Sequence, residues 1–236
     1  MSTPVQPPQS NHPPEPPKQG SVTTHVSDSL SYKILTSPDF KPLCLKDLLI
    51  YEPVTIEVNE FDQQSARDFE LGVGQAIRAK QQFLVVTVDS FGGDVYACFR
   101  MVDAIRHAAE CGLEVITVAR SKAMSAGALL FAAGHIRFAN RDAQIMIHHV
   151  SSGGWGKMPD LVNDAAHIKY LDSRMLEVLD TACGQPTGYW ADRLHDNKHS
   201  DLYLTAAQCL EHRLATHIGD PRITIVAGMS TKLENE

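Results

Sequence analysis

Residues 83–93 read Phe83-Leu84-Val85-Val86-Thr87-Val88-Asp89-Ser90-Phe91-Gly92-Gly93. The first six form a nearly continuous apolar run, the mark of a β-strand covered on both faces. The glycine pair closes the run, and a helical pattern follows with Ala97, Met101, Ile105 and Ala108 aligned. A strand that feeds a helix through a tight turn is the opening half of a β-α-β unit.

The same alternation continues on both sides of this stretch. Upstream, Val54-Thr55-Ile56-Glu57-Val58 alternates as a half-buried strand should. Residues 62–80 read as a helix with Phe69, Val73 and Ile77 on one face, weakened by Gly72 and Gly74. Downstream, residues 113–118 predict a second buried strand, 125–133 a short helix of small residues, and 143–148 another strand. Residues 151–156 read as a loop or ribbon. A long amphipathic helix then spans about 159–183, with Leu161, Ala165, Ile168, Met175 and Leu179 as its stripe. Shorter helices near 187–196 and 205–213 complete the pattern. Strands alternating with helices imply a mostly parallel sheet wrapped by helices, one α/β domain.

Composition excludes several classes. The 236 residues are 43% apolar and 21% charged, ordinary for a globular domain. No apolar run reaches the roughly 20 residues of a membrane-spanning helix. Seven of the 13 prolines fall between Pro4 and Pro17, so residues 1–30 are expected as an extended, disordered proline-rich arm, leaving 31–236 as the folded domain. That arm lacks the basic start and apolar centre of a signal peptide. A net charge of −7 without basic clusters argues against a nucleic-acid surface. Five cysteines without a C-x-x-C pair fit free thiols in a reducing cytoplasm, and Cys98, inside an apolar helical pattern, fits core packing.

Two strand-to-helix junctions stand out, since open α/β sheets bind ligands beyond the carboxyl ends of their strands. At Ser90-Phe91-Gly92-Gly93-Asp94, paired glycines leave backbone N–H groups unshielded, ready to face an oxyanion, although many such pairs only make turns. At Ala123-Met124-Ser125-Ala126-Gly127-Ala128, a hydroxyl stands at a helix start between residues too small to screen it. A serine there is either an N-cap or a nucleophile. A nucleophile needs a base, and His148 ends a buried strand, where a polar ring requires a partner. Its neighbour His149 points to the opposite face. A carboxylate to orient the imidazole could be Asp201, Asp192 or Asp196, and spacing alone does not choose among them. His195 and His199 are spaced i, i+4 near Asp192 and Asp196, but no third-ligand pattern supports a metal there. No phosphate loop and no dinucleotide fingerprint are present, so no cofactor is expected.

Taken in order, these segments resemble the proteolytic subunit of the Clp protease, the ClpP-type serine peptidases, over about residues 83–216. Ser90-Phe91-Gly92-Gly93 resembles the family's Ser-Pro-Gly-Gly turn, and Ala123–Ala128 its nucleophile turn. Met146-Ile147-His148 matches its Met-Ile-His, and Ser200–Ala206 resembles its Arg-Asp-x-Phe-Leu-Thr/Ser-Ala segment. The resemblance implies a ClpP/crotonase-like fold of repeated β-β-α units with a protruding handle, formed by the 153–158 ribbon and the helix after it. It implies Ser125 as nucleophile, His148 as general base and Asp201 as the group that orients the imidazole. Gly93 and Ala126 would supply the oxyanion hole, and Gly92, Gly153 and Gly154 would lie along a peptide or unfolded-protein substrate. Homo-oligomeric rings, heptameric or stacked, follow from the same resemblance.

Phe91 stands where the family has proline, Ala126 where it often has methionine, and Arg213 near a usual glycine. The N-terminal third shows none of the family's pattern, which makes an ATP-dependent unfoldase the weakest of the implied partners and the chain more like divergent phage and plasmid members. Three rival readings remain at this point. A crotonase-like acyl-CoA enzyme would use the same helix-start amides. A Ser–Lys dyad peptidase could draw its base from Lys122, Lys157 or Lys169. A ring-forming scaffold would carry the triad idle.

Overall fold

A computed structural model describes residues 20–27, 30–36, 54–153, 155–222 and 224–227. In chain order its elements are β1 (Gly20–Ser27), β2 (Leu30–Thr36), β3 (Thr55–Val58), α1 (Gln63–Arg78), β4 (Phe83–Ser90) and α2 (Val95–Glu110). There follow β5 (Glu114–Met124), α3 (Ala126–Ala132), β6 (Ile136–Ala139), β7 (Gln144–Ile147) and α4 (Met158–Ala182). The last are α5 (Tyr189–Asp196), β8 (Leu202–Thr205), α6 (Ala206–Glu211), β9 (His217–Ile218) and β10 (Thr224–Ala227).

The chain divides into two units, Met1–Ile50 with Arg222–Glu236, and Tyr51–Pro221. In the first, β2 pairs antiparallel with β1 and parallel with β10. Within the expected arm of residues 1–30, Gly20–Ser27 is therefore a strand. Its run Val22-Thr23-Thr24 and Val26 are β-branched, and such side chains favour extended backbone. The first 19 residues of that arm lie outside the described residues.

The second unit holds a seven-stranded sheet whose main path is β3-β4-β5-β6-β9, all parallel. Strand β5 is the spine. It runs eleven residues, well beyond the expected 113–118, because β4 pairs along it as far as Ser90↔Ala123. On its other side it forks. Ile116–Ala119 pair with β6, while Lys122–Met124 pair with β7. Strand β8 then lies antiparallel against β7.

The sequence pattern does not disclose β6, since Arg137 interrupts a four-residue run. The Arg137 guanidinium is nonetheless buried and donates to the carbonyls of Gly134, Arg213 and Leu214. Three backbone acceptors compensate the desolvation of that charge.

Helix α3 is buried along its whole length, which its small residues allow. Helix α2 packs Met101 and Ile105 into the same core, and Phe69 of α1 joins them. Helix α4 departs from its expected stripe. Met175 and Leu179 are buried, but Leu161 and Ile168 are half-buried and Ala165 is exposed. Its first half, residues 158–170, contains no buried side chain, which is the behaviour of a handle. Among the described residues, no helix is long and apolar enough to cross a membrane.

Candidate active site

Strand β5 ends at Met124, and the chain turns at once into α3. Ser125 makes that turn with φ 55° and ψ −119°, a region that residues with a Cβ rarely adopt. Such a conformation costs of order 1–3 kcal/mol and persists only where the surroundings enforce it. Here they do. The Ser125 N–H donates to the Met146 carbonyl at 2.8 Å, and its own carbonyl accepts from Ala128 and Leu129 at 3.0 and 3.2 Å. The N-cap reading of Ser125 fails, because its side chain makes no capping bond. Its Oγ instead lies 2.8 Å from His148 Nε2.

The parallel pairing of β5 with β7 explains the meeting. Met124 lies beside Met146, so the residues that follow each strand emerge together at its carboxyl end. The antiparallel register of β7 with β8 ends at Ile147↔Leu202, and one step further faces His148 with Asp201. Their closest approach is 3.9 Å, from His148 Nδ1 to Asp201 Oδ1, which is an ion-pair separation and too long for a hydrogen bond. The Asp201 side chain is 51% exposed and that of His148 23%. For Nε2 to accept the serine proton, the neutral ring must carry its hydrogen on Nδ1, the nitrogen that faces Asp201. Neither Asp192 nor Asp196 is within hydrogen-bond or ion-pair reach of His148 among the described contacts, so of the three carboxylates left open by the sequence it is Asp201 that the fold brings near.

Opposite Ser125 stands the glycine turn. A Cβ on Gly92 (φ 108°) would come within 2.7 Å of Ser125 Cβ, 2.9 Å of the Met124 carbonyl and 3.3 Å of the Ala126 nitrogen. A Cβ on Gly93 would meet the Phe61 carbonyl at 2.6 Å. Both glycines are thus required by close approach of backbone to backbone. The turn is pinned by the Asp94 N–H, which donates to the Phe61 carbonyl at 2.8 Å, and by the Asp94 carboxylate, which caps α2 through the Ala97 N–H at 2.7 Å. Among the described residues, the amides of Gly93 and Ala126 have no acceptor.

Lys122, the nearest lysine in sequence, reaches Asp89 at 3.0 Å and lies over the Phe91 ring. Hydrogen bonds from Ser121 and then Lys122 hold the Asp89 carboxyl below the usual carboxylate range. Lys122 is therefore committed away from Ser125. Cys98 is fully buried, as expected, and burial pushes its thiol pKa well up. Gly153 is exposed, with open space where a Cβ would stand, and residues 151–153 and 155–157 belong to no strand. Gly154 lies outside the described residues. Sequence reasoning sets His149 on the opposite face from His148 and weighs His199 only as a metal ligand, and it misses their contact: His149 meets Asp172 of α4 and His199. The signal available was the adjacent histidine pair, whose two rings must diverge.

A hydroxyl on a strained strand-to-helix turn, bonded to an imidazole and packed against a glycine turn, is the layout of hydrolases that attack through an activated side-chain oxygen. The chain belongs to the Clp protease family, whose profile matches residues 56–222, well over half of its length. It is similar to the ATP-dependent Clp protease proteolytic subunit 2 of Parasynechococcus marenigrum (strain WH8102), with 30% identity over 137 residues. That match covers 57% of this chain and 66% of the relative, so the chain spans just under two thirds of the relative's length. The expected family and the α/β fold with its parallel sheet are both borne out.

Proposed function

We propose that the chain is a serine endopeptidase acting on peptides or unfolded protein. The observation that carries this reading is the 2.8 Å contact between Ser125 Oγ and His148 Nε2 at an enforced, strained turn. In the proposed cycle, His148 takes the Ser125 proton as Oγ attacks a peptide carbonyl. The resulting oxyanion receives hydrogen bonds from the Gly93 and Ala126 amides, which have no acceptor of their own among the described residues. The imidazolium then protonates the leaving amine. Water, activated by the same ring, releases the acyl group and restores Ser125. Asp201 stabilises the charged ring across 3.9 Å, a looseness ordinary for a site without substrate.

Gly92, Gly153 and Gly154 would border the bound peptide, and assembly of copies into a ring would keep folded protein away from the site. The 3.9 Å separation is also the one observation that favours an idle scaffold, and the same experiment separates the two readings. A fluorophosphonate probe should label the parent chain and leave Ser125→Ala unlabelled, with His148→Ala slowed by at least about 100-fold. Labelling that persists in Ser125→Ala would falsify the nucleophile assignment. No labelling of the parent supports the scaffold, and acyl-CoA binding without labelling supports crotonase-like chemistry.

A further inference from the structure

We propose that His149 and His199 are positioning residues of this site. Their ring-to-ring contact ties the segment carrying Asp201 to the segment carrying His148, and a second proton on the pair releases it. The proposal rests on the peptidase reading, and it accounts for how a half-exposed carboxylate is kept near its imidazole.

The strand pairing that joins these segments stops at Ile147↔Leu202. Beyond it the described side-chain contacts between them are two: the 3.9 Å approach of His148 to Asp201, and His149 Nε2 to His199 Nδ1 at 3.2 Å. Only the second is a hydrogen bond. Each partner is itself anchored. His149 Nδ1 lies 2.9 Å from Asp172 Oδ2, while Asp172 Oδ1 accepts the Val150 N–H at 2.8 Å. One carboxylate of α4 thus grips the two residues that directly follow His148. His199 sits at φ 57° on the turn out of α5, its N–H donating to the Leu194 carbonyl at 2.7 Å. Asn197 Nδ2 holds the Asp201 carbonyl at 3.1 Å, so this turn and Asp201 are coupled.

Asp172 from α4 faces His149 and His195 from α5 faces His199, with Asp196 beside His195 and the His148–Asp201 couple adjoining in sequence. With Asp172 receiving the Nδ1 hydrogen of His149, only Nε2 can meet His199. A neutral pair shares one hydrogen across the contact, donated by His199. A pair with one added proton still shares one, donated by His149. Two added protons place N–H against N–H and charge against charge, and the contact opens. Double protonation of the pair therefore frees the Asp201 segment.

His199→Asn tests this. Asparagine tolerates the left-handed backbone, offers a hydrogen-bonding group close to where Nδ1 stands, and takes up no proton. Probe labelling of the full chain is measured at about pH 5.5 and about pH 8, where imidazoles pass from charged to neutral. The ratio of the acid rate to the alkaline rate should rise about threefold in His199→Asn, since interacting sites titrate as a pair. An unchanged ratio overturns the proposal. In parallel, histidine ring signals followed by NMR should show His149 and His199 titrating in coupled steps, with His149 reduced to a single step in His199→Asn. Independent titration of the two rings overturns the contact. If the parent labels at no pH, the peptidase reading fails, and the NMR curves still decide whether the contact exists.

Discussion

At Ser125 the chain accepts a backbone conformation that only its neighbours can enforce, and the neighbours are identifiable. The Met146 carbonyl holds the amide, the first turn of α3 holds the carbonyl, and Gly92 leaves room for Cβ. Gly92→Ala should therefore abolish labelling of Ser125, because the added methyl requires a positive φ that alanine resists and meets Ser125 Cβ at 2.7 Å. Circular dichroism should show the variant folded, since the turn lies at the rim of the sheet. A native-state cysteine map gives a second residue-scale check. Cys98, Cys183 and Cys209 are buried and Cys111 is exposed. Burial also pushes the thiols of Cys183 and Cys209 up to about 11 and about 12. Maleimide at neutral pH, followed by peptide mapping, should modify Cys111 and spare those three. Modification of Cys98 before unfolding would contradict its placement beneath Ala126. At this scale much was legible. Ser125, His148 and the glycine pair stand out from residue type and junction alone, whereas residue type leaves Asp201, Asp192 and Asp196 open; the family resemblance points to Asp201, and the register of β7 with β8 puts it beside His148.

Among the elements, the joint between α4 and α5 turns on one buried carboxylate. Asp180, only 3% exposed, accepts the N–H groups of Gly188 at 2.7 Å and Trp190 at 3.0 Å, taking the place of a side-chain cap for α5. Asp180→Ala should lower stability by about 2–4 kcal/mol in urea titration, because the buried Trp190 N–H and the half-buried Gly188 N–H lose their acceptor. Asp180→Asn, which keeps one acceptor oxygen, should lose about half as much. Gly134→Ala probes the α3–β6 junction, where a Cβ would fall 2.3 Å from Thr117 Oγ1 inside a fully buried contact. The apolar runs made β4, the start of β5 and β7 readable, as the period of α1 and α2 made those helices readable. The far half of β5 was not readable. Arg120, Ser121 and Lys122 look like loop residues, yet they remain in a strand because β4 pairs at Ala119 and Ala123 on either side of them, across a register shift, and Lys122 pairs with Gln144 of β7. Tertiary pairing outweighed local composition there.

For the whole molecule, the first half of α4 poses the clearest demand. Met158, Val162 and Tyr170 are exposed on it, and Trp155 precedes it fully exposed. The sequence period alone does not say what covers them, since an amphipathic stripe is equally satisfied by the chain's own sheet or by another copy. In the proposed ring assembly these side chains meet neighbouring copies. Multi-angle light scattering of the parent should then report an oligomer, and Met158→Asp with Val162→Asp should shift it toward smaller species while the urea midpoint stays close to the parent's. A monomeric parent would remove the chamber from the proposal and leave the site geometry untouched. The forked β5 has a further consequence, for the order in which the site comes into being. A chain emerging from its N-terminus presents Ser125 and His148 well before Asp201, and β7 gains its outer partner only when β8 follows. A growing chain therefore holds Ser125 and His148 before the carboxylate that will face the imidazole, and under the proposed mechanism the site is complete only once β8 has paired with β7.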